Sequence, residues 1–280
     1  MGITYKTVSD VETLLQTVEL QKRVWSADSV TSMHQMTAAT HHGGVVIAAF
    51  DADRLVGFVY GFPAYDGVKP YLFSHMMAID PDYRDAGLGS SLKIQQREWA
   101  IGKGYDKIAW TYDPLETRNG YLNLNKLGGF VGTYYLNYYG DMQDALHASM
   151  PTDRFLLEWD LHSAKCKDAL RGTAGDPLAW ATVPHLCEWE MDGAFPRPCL
   201  RSQKEPQQPL APKPSELTEG AYLVPVPNSI RELKQERMEL ALEWRLLLRS
   251  SMTQAFASGY RAVGLWRTEQ PVHYYVLAKL

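Results

Sequence analysis

Between Met76 and Leu92 the chain reads MMAIDPDYRDAGLGSSL, and Arg84, Gly87 and Gly89 stand there in a spacing that could hold an anion. Glycine lets a ligand approach the backbone without a Cβ in the way. The first N–H groups of a helix lack intrahelical partners and sit at its positive dipole end. A helix opening near Leu88 would therefore favour a phosphate. Arg84 could add a charge-assisted bond to the same anion. The chemistry is that of a pyrophosphate cradle, although a glycine pair before a helix also fits a plain tight turn. Two other phosphate loops are excluded: no GxxxxGK[ST] occurs, and GxGxxG fails because residue 92 is leucine.

The elements that must position this loop follow from periodicity. Ile3–Val8 reads as a strand, followed by a helix opened by Ser9 or Asp10. Val45–Phe50 and Leu55–Phe62 are apolar, β-branched runs joined by polar residues, a hairpin signal. Tyr71–Ile79 is a third strand, stopped by Asp80-Pro81. Helices are expected over Leu88–Lys103 and Glu116–Leu127, and strands over Lys107–Tyr112, Phe130–Tyr139 and Phe155–Leu161. The fold class is α/β (α+β), a mixed, mostly antiparallel sheet with helices on its faces.

Composition narrows the options. Hydrophobic residues make up 45% and charged residues 21%, as in a folded chain able to bury a core. Twenty-eight basic against thirty-two acidic side chains give a net charge of −4, which argues against nucleic-acid binding through bulk positive charge. No run of eighteen apolar residues suggests a membrane span. The start, MGITYKTVSDVETLL, lacks a secretory pattern, and Lys6 stands where myristoylation wants Ser or Thr. Cys166, Cys187 and Cys199 form no CxxC pair, so neither zinc nor any other metal is expected. A cytoplasmic location is the expectation.

Arg84-x-x-Gly87-x-Gly89 after a strand ending in Ala78-Ile79-Asp80-Pro81 resembles the coenzyme A site of the GNAT superfamily of acetyltransferases. Asn119, and Lys126-Leu127-Gly128-Gly129-Phe130, are similar to that family's fourth helix and its Lys-Leu-Gly-Phe ending, with one extra glycine. Ser74-His75-Met76, Thr111-Tyr112-Asp113-Pro114-Leu115-Glu116 and Tyr139-Gly140-Asp141 resemble a subgroup of longer GNAT-like proteins. The resemblance implies an N-acetyltransferase with acetyl-CoA as co-substrate. Met77, Ala78 and Ile79 would pair with the pantetheine arm in a splay between Tyr71–Ile79 and Lys107–Tyr112. Arg84, Asp85, Ala86, Gly87, Leu88, Gly89 and Ser90 would wrap the pyrophosphate, and Asn119 would contact the arm. A backbone N–H near Met77 would stabilise the oxyanion.

Acetyl transfer to an amine needs a base and benefits from an acid. In many members of the family a fourth-helix tyrosine is that acid. Here Leu124 or, allowing for the extra glycine, Asn125 occupies its place. Tyr121, one turn earlier, is the nearest substitute, Tyr139 a second, and water a third. His75 is the first candidate base and Asp113 the second; Glu116 fits a helix N-terminus. His34, His41 and His42 fit surface positions, and Asp153-Arg154 fits a structural ion pair or a clamp on an acidic acceptor. Trp25, Trp110, Tyr112 and Tyr135, if turned inward, would suit a small or amphipathic amine. A non-catalytic acyl-CoA-binding protein of the same fold is the alternative, and an assembly protein whose cradle is only a turn is a third reading.

Ten of the sixteen prolines fall between Pro177 and Pro227. The chain is therefore divided into a GNAT-like domain (1–161), a Pro-rich irregular connection (162–221) and a C-terminal strand-helix-strand-strand piece (222–280). In the last, Ser229 and Glu232 fit a capping box, and Leu233, Leu240, Trp244, Leu247 and Phe256 share an apolar face. So small a piece must pack on the first domain or on a second copy, which would make a homodimer.

Overall fold

The computed structural model describes residues 2–25, 30–140, 150–173, 180–199 and 217–280. They pack as two units, Met1–Trp110 with Trp159–Ser163, and Thr111–Glu158 with Ala164–Leu280.

In the first unit β1 (Ile3–Val8), β2 (Val45–Asp51), β3 (Arg54–Tyr65), β4 (Pro70–Ile79) and the start of β5 (Lys107–Tyr112) lie side by side in that order. The first four are antiparallel neighbours and β5 joins β4 in parallel. The mixed, mostly antiparallel sheet expected from periodicity is present. Asp10 opens α1 (Val11–Val24) by accepting the Thr13 N–H at 2.8 Å, which decides between Ser9 and Asp10. β3 serves two faces. Phe58 and Tyr60 join a core with Leu14 and Leu20 of α1 and Met36 of α2 (Met33–His41). Gly57 and Gly61 face α3 (Leu88–Gly102): a Cβ on Gly61 would come within 3.0 Å of Gln96 Nε2, and one on Gly57 within 3.3 Å of Leu88 and Leu92. Two glycines thus let a helix lie close against the sheet.

In the second unit the strand order is β7 (Arg154–Asp160, through Glu158), β6 (Phe130–Tyr135), β11 (Tyr260–Trp266), β12 (Val272–Lys279) and β10 (Ala221–Pro227). The expected C-terminal strand-helix-strand-strand piece is therefore in the same sheet as β6. The apolar face of α7 (Met238–Ala257) is buried as its periodicity predicted, with Leu240, Trp244, Leu247 and Leu248 inside. Trp244 Nε1 donates to Pro196 O at 2.8 Å. β10 is the end strand, where proline is tolerated. Its Leu223 donates to Pro184 O and accepts from the Leu186 N–H.

Several expectations need correction. The helix predicted over Glu116–Leu127 is α4 (Thr117–Tyr121) running into a wider π-helical turn, Leu122–Lys126, where the Leu127 N–H reaches back to Leu122 O. Such a turn absorbs one surplus residue in a helix. The strand expected over Phe130–Tyr139 stops at Tyr135, and Asn137 follows at φ 43. Ser229 stands at the N-cap of α6 (Ile230–Glu236) but its side chain makes no capping bond, so the capping box is not formed; the adjoining backbone is held instead by Asn228 N–H to Pro271 O. The C-terminal helix breaks at Arg237, whose carbonyl accepts from Leu240 and Ala241 while its guanidinium bonds Asp192 at 3.0 Å. Within 162–221, α5 (Ala164–Arg171) and a hairpin of β8 (Trp189–Asp192) and β9 (Phe195–Pro198) are regular structure that the sequence reading did not foresee. Lys165 of α5 donates to Gly129 O and Val263 O, each at 2.6 Å, and burial lowers its pKa to about 8. The tract 201–216 lies outside the described residues.

Candidate active site

The cradle sits in the first unit at the exit of β4. Asp80, 3% exposed, fixes that exit: it accepts from Arg54 at 3.0 Å, Arg23 at 3.2 Å and the Asp82 N–H at 3.2 Å. Burial pushes its pKa up, but these donors outweigh that and hold the carboxyl below its ordinary range. Tyr83 adds a 2.7 Å bond to Asp51. The chain then turns through Asp85 (φ 68) and Gly87 (φ 77), both in the left-handed region. Gly87 is the N-cap of α3, with no side chain to satisfy the first N–H groups and no acidic residue in the first turn. Arg84 is exposed and forms no ion pair among the described residues. A Cβ on Gly89 would stand 3.3 Å from Ile79 Cδ1 and 3.5 Å from Met77 Cε, so the helix start lies against the end of β4. The helix start thus has N–H groups without a side-chain cap, an exposed arginine and no acidic residue in its first turn, with Asp85 in the turn that precedes it, a setting that favours an anion.

β4 carries a bulge that the sequence did not announce. Met76 pairs with Tyr60 and Ser74 with Gly61, which leaves His75 as the additional residue. The bulge reverses the alternation of side chains. Leu72 approaches the α3 side beneath Gly61, and beyond the bulge Met77 and Ile79 do so beneath Gly89. Met76 and Ala78 join the core on the α1 and α2 side. Pairing with β5 is limited to Leu72–Ile108 and Phe73–Ala109, so the Met77–Ile79 edge has no β5 partner among the described residues.

His75 keeps an exposed edge while its ring lies 6.1 Å from Tyr60 and 5.7 Å from Phe62, and this partial burial lowers its pKa. It is neutral near pH 7, as a base must be. Lys93, on the inner face of α3, was not singled out in sequence. It is 3% exposed, with Nζ 2.7 Å from Ser74 Oγ and 3.6 Å from the Trp110 ring centroid.

Asp113, Asn119 and Tyr121 belong to the second unit. Asp113 Oδ2 accepts from Arg245 at 2.8 Å, and Oδ1 from the Leu115 N–H at 2.9 Å. Although burial works against it, Arg245 holds the Asp113 carboxyl below its ordinary range, which makes a weak base. Tyr121 is half-buried, with the Arg267 guanidinium 3.9 Å above its ring. Asn119 is exposed on α4. Leu124 is buried, and Asn125 Oδ1 accepts the Leu265 N–H at 2.9 Å, so both are committed to the fold. Tyr139 is exposed and its hydroxyl lies 3.4 Å from that of Thr111. Asp153 and Arg154 are not each other's partners: Asp153 takes two 2.8 Å bonds from Arg249, and Arg154 donates to Thr111 O. His34, His41 and His42 are exposed on α2 and just beyond it. Trp110 and Tyr112 are buried against Trp159 and Phe155 respectively.

Residues 12–121 match the sequence profile of the acetyltransferase (GNAT) family. The chain therefore carries a GNAT acetyltransferase domain over that span. Among solved structures, the ribosomal-protein-S18-alanine N-acetyltransferase from Escherichia coli is 16% identical with a TM-score of 0.47, over 58% of this chain and 96% of that one. Naa50 from Arabidopsis thaliana, in complex with the bisubstrate analogue CoA-Ac-MVNAL, is 16% identical with a TM-score of 0.46, over 56% and 98%. The protein yncA from Salmonella typhimurium, with its cofactor acetyl-CoA, is 15% identical with a TM-score of 0.49, over 59% and 97%. No curated protein matches the chain in sequence. Among the described residues no helix is long and apolar enough to cross a membrane, and no group of three His, Cys, Asp or Glu could hold a metal.

Proposed function

We propose that the protein transfers an acetyl group from acetyl-CoA to the amine of a small-molecule acceptor by direct attack. The observation that carries this reading is the Met77–Ile79 edge, without a β5 partner among the described residues, ending at a helix start with left-handed Gly87 and exposed Arg84, inside the segment that matches the family. In this reading Arg84 through Ser90 bind the pyrophosphate, the Met77–Ile79 backbone binds the pantetheine arm, and Asn119 contacts that arm. His75 removes the proton from the incoming amine, and a backbone N–H near Met77 donates to the oxygen that becomes negative. The base role goes to His75 because Asp113 is already neutralised by Arg245. Tyr121 is the proposed acid for the departing thiolate.

The test is calorimetric binding of coenzyme A and acetyl-CoA, followed by release of free thiol across a panel of small amines. Saturable binding with thiol release on one class of amine supports the reading, and absence of coenzyme A binding defeats it. A second reading, a coenzyme A-binding protein with little transfer, is favoured by Leu124 and Asn125, which supply no phenol and are taken up in packing. Binding without thiol release on any amine would select it.

A further inference from the structure

Lys93 lies where β4 and β5 cease to pair. The last paired residues are Phe73 and Ala109, and the next residue of each strand, Ser74 and Trp110, is the one that Lys93 touches. Nζ donates to Ser74 Oγ at 2.7 Å, sits 3.6 Å from the Trp110 ring centroid and meets Gln96 Oε1 at 3.4 Å. No carboxylate is paired with it among the described residues. A lysine buried without a counter-ion is costly, and a methionine or leucine would fill the same volume without desolvating an amine. Burial accordingly holds the amine well below its ordinary pKa. A nitrogen kept here at such cost calls for something only a hydrogen-bond donor can do. What it does is hold Ser74, the residue immediately before the bulge.

We propose that Lys93 is a positioning residue for acetyl transfer: through Ser74 it fixes the bulge at His75, and with it the direction of the Met76–Met77 backbone along the open side of β4. The bulge decides both the face on which His75 stands and which residues point at α3. A slip at Ser74 would return the strand to simple alternation and turn every later side chain over. The inference rests on the reading of this edge as the acyl-donor site, but its first measurement does not.

Three variants test it, Lys93→Met, Ser74→Ala and Lys93→Gln, each compared with the wild-type chain. Hydrogen exchange at the amides of residues 75–77 is read in the ligand-free protein. It should quicken about tenfold in Lys93→Met and Ser74→Ala, the equivalent of one hydrogen bond. Lys93→Gln, which keeps an uncharged donor, should stay near wild type. In steady-state kinetics the first two should lose about tenfold in kcat with the acetyl-CoA KM within about twofold, and the glutamine should restore kcat. Unchanged exchange at 75–77 in a folded Lys93→Met protein would overturn the inference, as would a glutamine variant no better than the methionine. If Lys93→Met does not fold, Ser74→Ala decides, since it removes only a hydroxyl. A wild type that binds no acetyl-CoA sinks the proposed function, while the exchange measurement still shows whether Lys93 holds the bulge.

Discussion

Arg245 Nη2 lies 2.8 Å from Asp113 Oδ2, with 2% of the arginine side chain exposed and 18% of the aspartate's. Nε and Nη1 of Arg245 have no hydrogen-bond partner among the described residues, so Asp113 is its chief compensation. A carboxylate with that duty is structural. Removing it should be expensive in stability.

Asp113→Ala should lower stability by about 3–5 kcal/mol, because a buried guanidinium would lose its counter-charge. Denaturant unfolding at pH 7 measures this. The pH dependence follows from the depressed pKa of Asp113. Its stabilisation is fully present above the ordinary carboxylate pKa and is lost as pH falls toward the lower folded value. Wild type should therefore lose stability below about pH 4, and Asp113→Asn should lose less over the same interval.

Arg84→Ala should weaken coenzyme A binding by about 1.5–3 kcal/mol, the usual worth of a hydrogen bond to a charged group. Gly87→Val should do more, since φ 77 strains any L side chain and a valine would stand where the anion approaches the backbone. Titration calorimetry on the folded variants is the check, and unchanged affinity would remove the cradle from the site.

Turnover should fall on the acid side as His75 protonates. Because burial lowers its pKa, kcat/KM should hold through pH 6.5 and decline only below it. His75→Gln should abolish that limb and most of the activity. A limb that survives the substitution would point to another base.

Tyr121→Phe should reduce kcat while acetyl-CoA affinity stays nearly constant, if the phenol protonates the leaving thiolate. Unchanged turnover would pass the role to water or Tyr139.

Trp244→Ala should cost about 3–5 kcal/mol, as for a large aromatic lost from a packed interior. A fragment ending at residue 161 should aggregate, because β6 would lose β11, with Ala262 no longer beside Val131, and Asp153 would lose Arg249. A soluble, cooperatively melting fragment would show that the C-terminal piece is an appendage.

The strands of the first unit, the glycine turn into α3 and the amphipathic face of α7 were legible because each follows a local rule of alternation, helical spacing or glycine before a helix. The bulge at His75 was not. It is defined by which residues of β3 and β4 face each other, and no pattern within PYLFSHMMAI marks the surplus residue. Arg245 was hidden for a related reason: its partner lies 132 positions away in the chain. Nothing in the sequence singles out Lys93, because only the closeness of Ser74 and Trp110 reveals its burial. The π-helical turn at Leu122–Lys126 was likewise not legible, since no local residue pattern marks it.

The outer side of β10 has a consequence for assembly. Leu223 directs its N–H away from β12, toward Pro184, and alternation places residues 225 and 227 in the same outward orientation. Both are prolines, so neither has an N–H to offer, and the Leu223 donor is already taken. Past Leu223 a strand from another molecule would find carbonyls with no donors between them, whereas Ala221, in the same orientation, has an N–H. Two copies of the chain could meet through side chains, but they could not join by continuing a sheet along the Pro225–Pro227 end of β10.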